Sequence, residues 1–160
     1  MLWIGGDGHC AGAYAVNNYS TCEDDPDLWW RGRQPHPENA AINWATTLAK
    51  TLKLQFINDA DEMDNAQSIL VKGQRWINTN KRSKNIVLVG FPDPQADALK
   101  EYSQFLKKHE TRHIFFNTND YINFLKSSGF RPNQRGYFGR DAHQAWANVM
   151  LSQLRGLEII

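Results

Sequence analysis

The segment at residues 85 to 91 constrains the fold of this chain more than any other. Its centre, Ile86-Val87-Leu88-Val89, is apolar at every position, and such uninterrupted runs are typical of strands that are buried on both faces of a parallel sheet. A chain with such a strand needs helices to cover both faces of its sheet. Three further short strands are predicted at residues 1 to 4, 54 to 57 and 113 to 117.

Helical patterns alternate with these strands. Gly129 is predicted to follow the fourth helix as its C-cap glycine. Because strand–helix–strand units join parallel strands by right-handed crossovers, the alternation predicts an α/β fold, a three-layer α/β/α sandwich with a parallel sheet, in a single domain over residues 1 to 160. Apolar side chains recur at three- and four-residue spacing over residues 38 to 52, 65 to 78, 94 to 108, 120 to 127 and 144 to 154.

Composition narrows the range of partners. The 160 residues carry a formal net charge of +1, so nothing favours binding to nucleic acid or to an anionic membrane surface. No apolar run is long enough to span a bilayer, and the first residues lack the basic and apolar regions of a signal peptide. The two cysteines, Cys10 and Cys22, are expected to be free thiols. No cofactor is expected, and the oligomeric state stays open.

A glycine-rich turn follows the first predicted strand. Residues 5 to 12 have the sequence GGDGHCAG, with Asp7, Gly8 and His9 at its centre. Glycines permit a tight turn and a close approach of the backbone to a ligand, and the amides at the next helix start are able to bind an oxyanion or a phosphate. The alternative is that these glycines are needed only for close packing of the backbone. The sequence leaves the ligand-binding role and the packing role open.

A second candidate group, Asp141 and His143, opens the last helical pattern. An α/β fold is able to bring this pair to the glycine-rich turn, as many hydrolases do to join a nucleophile to its base. In the structural alternative, Asp141 caps the helix and His143 has no chemical role. No metal site is predicted, because the histidines and cysteines show no metal-ligand spacing.

The six tryptophans fall into two groups. Trp44, Trp76 and Trp146 lie on apolar helical stripes and are predicted to be core residues. Trp29 and Trp30 lie in a polar stretch broken by prolines, which predicts a long loop. This pair either covers the core or forms a surface for a ligand or partner, and we include both residues among the candidate binding residues.

Together these motifs resemble the SGNH (GDSL-type) hydrolases, in particular the compact members encoded by bacteriophages. The resemblance rests on a strand, a turn from Gly6 to Gly12 similar to Gly-Asp-Ser-x-x-x-Gly, a long loop, crossovers, and a late Asp-x-His at Asp141 and His143. It covers nearly the whole chain, although each motif is short. It implies a flavodoxin-like three-layer fold and the hydrolysis of carboxylic or carbohydrate esters.

The resemblance also implies which catalytic groups are missing. Gly8 stands where the family has its nucleophilic serine, and it has no side chain with which to attack. No glycine stands near Asn65, where the family supplies an oxyanion donor. The third motif keeps its glycine at Gly90 but has Pro92 where an asparagine donates. Only the Asp-x-His pair is complete.

The sequence therefore predicts a degenerate SGNH-like hydrolase, a pseudoenzyme that acts as a binding or structural module. A protein or a carbohydrate is the expected partner, and the host cytoplasm or the virion is the expected location. One alternative is an active esterase or deacetylase that uses Cys10 as a displaced nucleophile with His143 and Asp141. Another is a nucleotide-binding module that uses the glycine-rich turn as a phosphate cradle, although the chain lacks the Lys-Ser/Thr of a P-loop.

Overall fold

The fold is described from a computed structural model. The structure describes residues 1–13, 15, 37–81, 84–92, 96–133 and 136–160. The predicted loop with Trp29 and Trp30, and Cys22 with it, lies outside the described residues. The expectations about these three residues therefore stay predictions.

The described residues contain one parallel sheet of four strands. The strands are β1 (Leu2–Gly6), β2 (Phe56–Asn58), β3 (Ile86–Phe91) and β4 (Arg112–Asn117), and they are ordered β2-β1-β3-β4. Every neighbouring pair is parallel. The α/β class and the parallel sheet are thus confirmed, and the crossover connections account for the strand order.

Helices cover both faces of this sheet. Their bounds in the described residues are α1 (Gly8–Ala11), α2 (Pro37–Ile42), α3 (Trp44–Leu52), α4 (Ala66–Thr79), α5 (Ala96–Lys108), α6 (Thr118–Ser127) and α7 (Arg140–Gly156). Buried residues of α3, α6 and α7 form a core on one face of the sheet, and those of α4 and α5 form a core on the other face. This arrangement is consistent with three layers. No helix in the described part of the chain is long and apolar enough to cross a lipid bilayer.

The alternation of side chains along β1 shows how the sheet supplies both cores. Leu2 and Ile4 pack with the α3, α6 and α7 side, whereas Trp3 between them packs with the α4 and α5 side. Because neighbouring side chains of a strand point to opposite faces, a doubly covered strand is apolar at every position. The predicted core tryptophans Trp44, Trp76 and Trp146 are all buried.

The predicted helix bounds differ from the structure, and two helices differ substantially. The helix predicted over residues 38 to 52 is two helices, α2 and α3, separated at Asn43. The Asn43 side chain accepts a hydrogen bond from the amide of Ala45 at 3.2 Å and so caps α3. The last helix begins at Arg140, earlier than predicted, and its N-cap is Gly139. Asp141 is therefore a first-turn residue, where its charge suits the helix dipole.

Candidate functional site

Several of the candidate residues lie where β1 and β3 end, at the carboxyl edge of the sheet. Gly6 and Gly90 are register partners there. A Cβ built on Gly90 would lie 2.5 Å from the sulfur of Cys10, and one built on Gly6 would also collide with that sulfur. Real Cβ atoms do not approach so closely. The two glycines therefore make room for the Cys10 side chain, and the packing alternative explains both of them.

Asp7 links the glycine-rich turn to α6. One carboxylate oxygen accepts a hydrogen bond from the amide of His9 at 3.0 Å, which caps α1. The other oxygen accepts a hydrogen bond from the hydroxyl of Thr118, also at 3.0 Å. Asp7 is only 9% exposed, so both of its oxygens are used for structure.

Gly8, which the sequence resemblance aligns with a nucleophilic serine, is covered by Tyr137. A Cβ built on Gly8 would lie 2.6 Å from the Tyr137 hydroxyl oxygen and 2.8 Å from its ring carbon Cε1. The phenol of Tyr137 therefore occupies the space into which a serine side chain would extend. Sequence reasoning missed Tyr137, and its only signal is indirect: a glycine in a short helix leaves a gap that another residue must fill.

The ring of His9 lies among aromatic side chains beside this position. Its centroid is 4.7 Å from that of Tyr137 and 5.1 Å from that of Tyr121. Burial lowers the pKa of His9, and the charge of Asp7 opposes that shift. Its Nδ1 atom is buried and has no hydrogen-bond partner in the structure. His9 is therefore a neutral, aromatic-packed residue near neutral pH.

Cys10 is a buried thiol. Burial raises its pKa well above the usual value, and the negative charge of Asp7 raises it further, while backbone hydrogen bonds involving Gly90 and Asp7 act in the opposite direction. The side chain is 1% exposed. Because the thiolate is the reactive form, a protonated and buried thiol is a poor nucleophile at neutral pH.

His143 is also built into the core. Its Nδ1 atom accepts a hydrogen bond from the backbone amide of Trp44 at 3.2 Å, and the side chain is 1% exposed. Burial lowers the pKa of His143 to about 3, the nearby ring of His9 lowers it as well, and a backbone hydrogen bond with Phe138 acts against both. Because Nδ1 accepts, the proton of the neutral ring lies on Nε2.

The Asp-x-His pair is divided between core and surface. Asp141 is exposed in the first turn of α7, whereas His143 is buried two residues later. The ring of His143 is held by the backbone of Trp44 and Phe138. The structure thus brings His143 close to His9 but leaves Asp141 at the surface.

Three asparagines hold the surrounding segments in place. Asn43 and Asn58 both donate to the carbonyl oxygen of Cys10, at 2.7 and 3.0 Å. Asn65, which was among the candidate binding residues, caps α4 in a reciprocal capping box with Ser68. All three amides therefore have structural hydrogen bonds.

A pocket of about 170 Å³ opens at the ends of β3 and β4, beside this group. Sequence reasoning did not identify it, since its residues are far apart in the chain. Phe116 lies between the pocket and the candidate site, because its ring carbons would be 2.7 Å from a Cβ built on Gly90. The residues that line the pocket are Phe91, Leu99, Phe115, Phe116, Asn117 and Asp120.

Within the described ranges, no three His, Cys, Asp or Glu side chains are grouped to hold a metal ion. Comparisons with models of protein families, with curated proteins and with solved structures find no match to this chain. Function must therefore be argued from the site itself.

Proposed function

We propose that this protein is an SGNH-hydrolase-like domain that has lost ester hydrolysis and now acts as a binding module. The contact between Tyr137 and Gly8 is the observation that carries the proposal. A working site needs an open nucleophile at the end of β1, and here a phenol fills that space. Loss of a triad member leaves a residual rate of roughly 10³- to 10⁴-fold over water, so an enzyme without its nucleophile has little activity left.

The alternative with Cys10 as a displaced nucleophile is disfavoured by three properties of the site. The thiol is buried and its pKa is raised, so little thiolate forms at neutral pH. His143 uses Nδ1 to accept the Trp44 amide, so its neutral ring offers no free lone pair. Asp141 is exposed and does not orient the ring as a triad carboxylate does.

The phosphate-cradle alternative is disfavoured by Asp7. Its carboxylate already accepts the amide of His9, one of the first donors that a phosphate would use at this turn. A buried carboxylate at that place would also repel a phosphate. The helix that follows, α1, has only four residues, so its dipole contributes little.

A partner protein or a carbohydrate remains the proposed ligand, as the sequence predicts. The same proposal includes a bacteriophage origin, with action in the host cytoplasm or as part of the virion, because the motif order resembles compact phage-encoded members of the family. A retained pocket beside a site without a nucleophile supports binding over chemistry.

An ester-hydrolysis screen tests this proposal. Wild type, Cys10→Ala and Tyr137→Phe are compared on p-nitrophenyl acetate and on acetylated sugars, with circular dichroism to establish that each variant is folded. On the acetylated sugars, we expect the hydrolysis rate of every sample to equal the rate in buffer alone. These sugars are the decisive substrates because isolated imidazole side chains hydrolyse them poorly. Turnover by wild type that either substitution abolishes would overturn the proposal and identify the nucleophile.

A further inference from the structure

The pocket at the ends of β3 and β4 combines aromatic walls with a carboxylate. The rings of Phe91 and Phe115 meet edge to face with their centroids 5.3 Å apart, and Phe116 also lines the pocket. Asp120 lies at the rim, in the first turn of α6. Such a pocket is suited to a ligand that is apolar along its length and positively charged at its end.

The carboxylate of Asp120 is available for such a charge. In the described part of the chain, Lys72 and Asp64 form an ion pair away from this pocket. No cationic side chain of the described residues lies within ion-pair distance of Asp120. Asp120 is exposed, so its carboxylate is accessible from solvent.

The carboxylate of Asp120 favours a cation at this end of the sheet. Both α5 and α6 carry an acidic residue in the first turn, Asp97 and Asp120, and basic residues in the last turn. These carboxylates also stabilise the helix starts. Of these two carboxylates, Asp120 lines the pocket, and its negative charge disfavours phosphates and carboxylates as ligands there.

The size of the pocket indicates how much of a ligand it holds. Its volume of about 170 Å³ is below the roughly 300 Å³ at which pockets begin to enclose whole small molecules. A single long side chain is a better fit. A side chain arrives as part of a larger partner, whose remaining contacts supply further affinity.

We propose that this pocket receives the side chain of an arginine from a partner protein. Arginine fits better than lysine because its planar guanidinium stacks on aromatic rings and pairs with a carboxylate through two hydrogen bonds. Arginine is also enriched among the residues that dominate protein interfaces. The inference rests on the binding role proposed above and gives that role a ligand chemistry.

The test is an NMR titration of the ¹⁵N-labelled full chain with N-acetyl-arginine amide. N-acetyl-citrulline amide, which has the same length without the charge, is the matched ligand. Ionic strength is held at about 0.1 M throughout, because salt screens exposed charges. We expect saturable shifts of the amides of Phe91, Phe116 and Asn117, with affinity about fivefold or more above that for the citrulline amide.

Two variants test whether the carboxylate of Asp120 binds the guanidinium group. Asp120→Asn should weaken arginine-amide binding about fivefold, whereas Asp97→Asn should leave it unchanged. Asp97→Asn is the matched control because Asp97 has the same first-turn position on a neighbouring helix but does not line the pocket. Equal shifts with both ligands, no saturable shifts up to about 50 mM, or an unchanged affinity in Asp120→Asn would overturn the inference.

The outcome is separable from that of the proposed function. Ester turnover by the same protein samples would contradict the loss of hydrolysis while leaving an arginine-specific titration intact. An absence of turnover together with an absence of arginine-dependent shifts would refute only the ligand assignment.

Discussion

The Nδ1 atom of His143 accepts a hydrogen bond from the backbone amide of Trp44 at 3.2 Å, which ties the start of α7 to the start of α3. In a Ser-His-Asp triad, Nδ1 donates to the carboxylate and Nε2 takes the nucleophile's proton. Here the roles of the two nitrogens are reversed. The histidine that the sequence resemblance predicts as a catalytic base instead accepts a hydrogen bond from the first turn of α3.

The burial of His143 predicts that the protein loses stability as the pH falls. His143 has a pKa near 3 in the folded state and about 6.5 when unfolded. Between these values the unfolded chain binds a proton that the folded chain does not, so the free energy of unfolding decreases towards low pH. The contribution of His143 should fall by about 2 kcal/mol between pH 6.5 and 5. His9, whose pKa is also lowered, acts in the same direction.

Urea unfolding at several pH values measures this effect. His143→Gln keeps an acceptor for the Trp44 amide and removes the titration, so its unfolding free energy should depend less steeply on pH below 6.5. Gln144→Ala, at an exposed position next to His143 in α7, removes no titrating group and is the control that should keep the wild-type slope. Identical slopes for wild type and His143→Gln would refute the structural role of this ring.

The second prediction concerns Cys10. Because its thiol is buried and its pKa is raised, iodoacetamide should label it at least about tenfold more slowly in the native protein than after unfolding in guanidinium. Peptide mapping by mass spectrometry separates its labelling from that of Cys22. Native labelling as fast as that of the unfolded chain would show an accessible thiolate and revive the displaced-nucleophile alternative.

The third prediction concerns Asn43. Its side chain is fully buried, caps α3 through Ala45 and donates to the carbonyl oxygen of Cys10. Asn43→Ala should lower the free energy of unfolding by about 2 to 3 kcal/mol, because a cap and a buried hydrogen bond are lost together. Asn65→Ala removes an exposed cap alone and should cost about 1 kcal/mol. Equal losses of unfolding free energy for the two variants in urea would mean that the Asn43–Cys10 hydrogen bond does not stabilise the protein.

The sequence predicts the sheet and most helices because their signals are local. The apolar run within β3 and the helical spacing of Ile69, Leu70 and Ile77 in α4 depend only on neighbours in the chain. The break between α2 and α3 escapes this approach, since the apolar periodicity continues across Asn43. At that break, Asn43 caps α3 through Ala45 and also donates a hydrogen bond to Cys10, a residue 33 positions away.

The site is less predictable than the fold for the same reason. The sequence shows that Gly8 lacks a side chain, but not that Tyr137 fills the space. Likewise, Asp141 and His143 form a motif in the sequence, yet the earlier start of α7 buries one residue and exposes the other. Both outcomes depend on how segments from opposite ends of the chain pack together.

The most direct test of the account is the substitution Gly8→Ser, made in the wild-type and Tyr137→Ala backgrounds. Serine is a better helix former than glycine, so on local grounds the change should stabilise α1. Contact with the phenol should instead lower the free energy of unfolding by about 1 to 3 kcal/mol in the wild-type background, and this loss should disappear when Tyr137 is truncated. A serine tolerated equally in both backgrounds, or one that hydrolyses acetate esters beside an intact Tyr137, would contradict the claim that Tyr137 closes the nucleophile position.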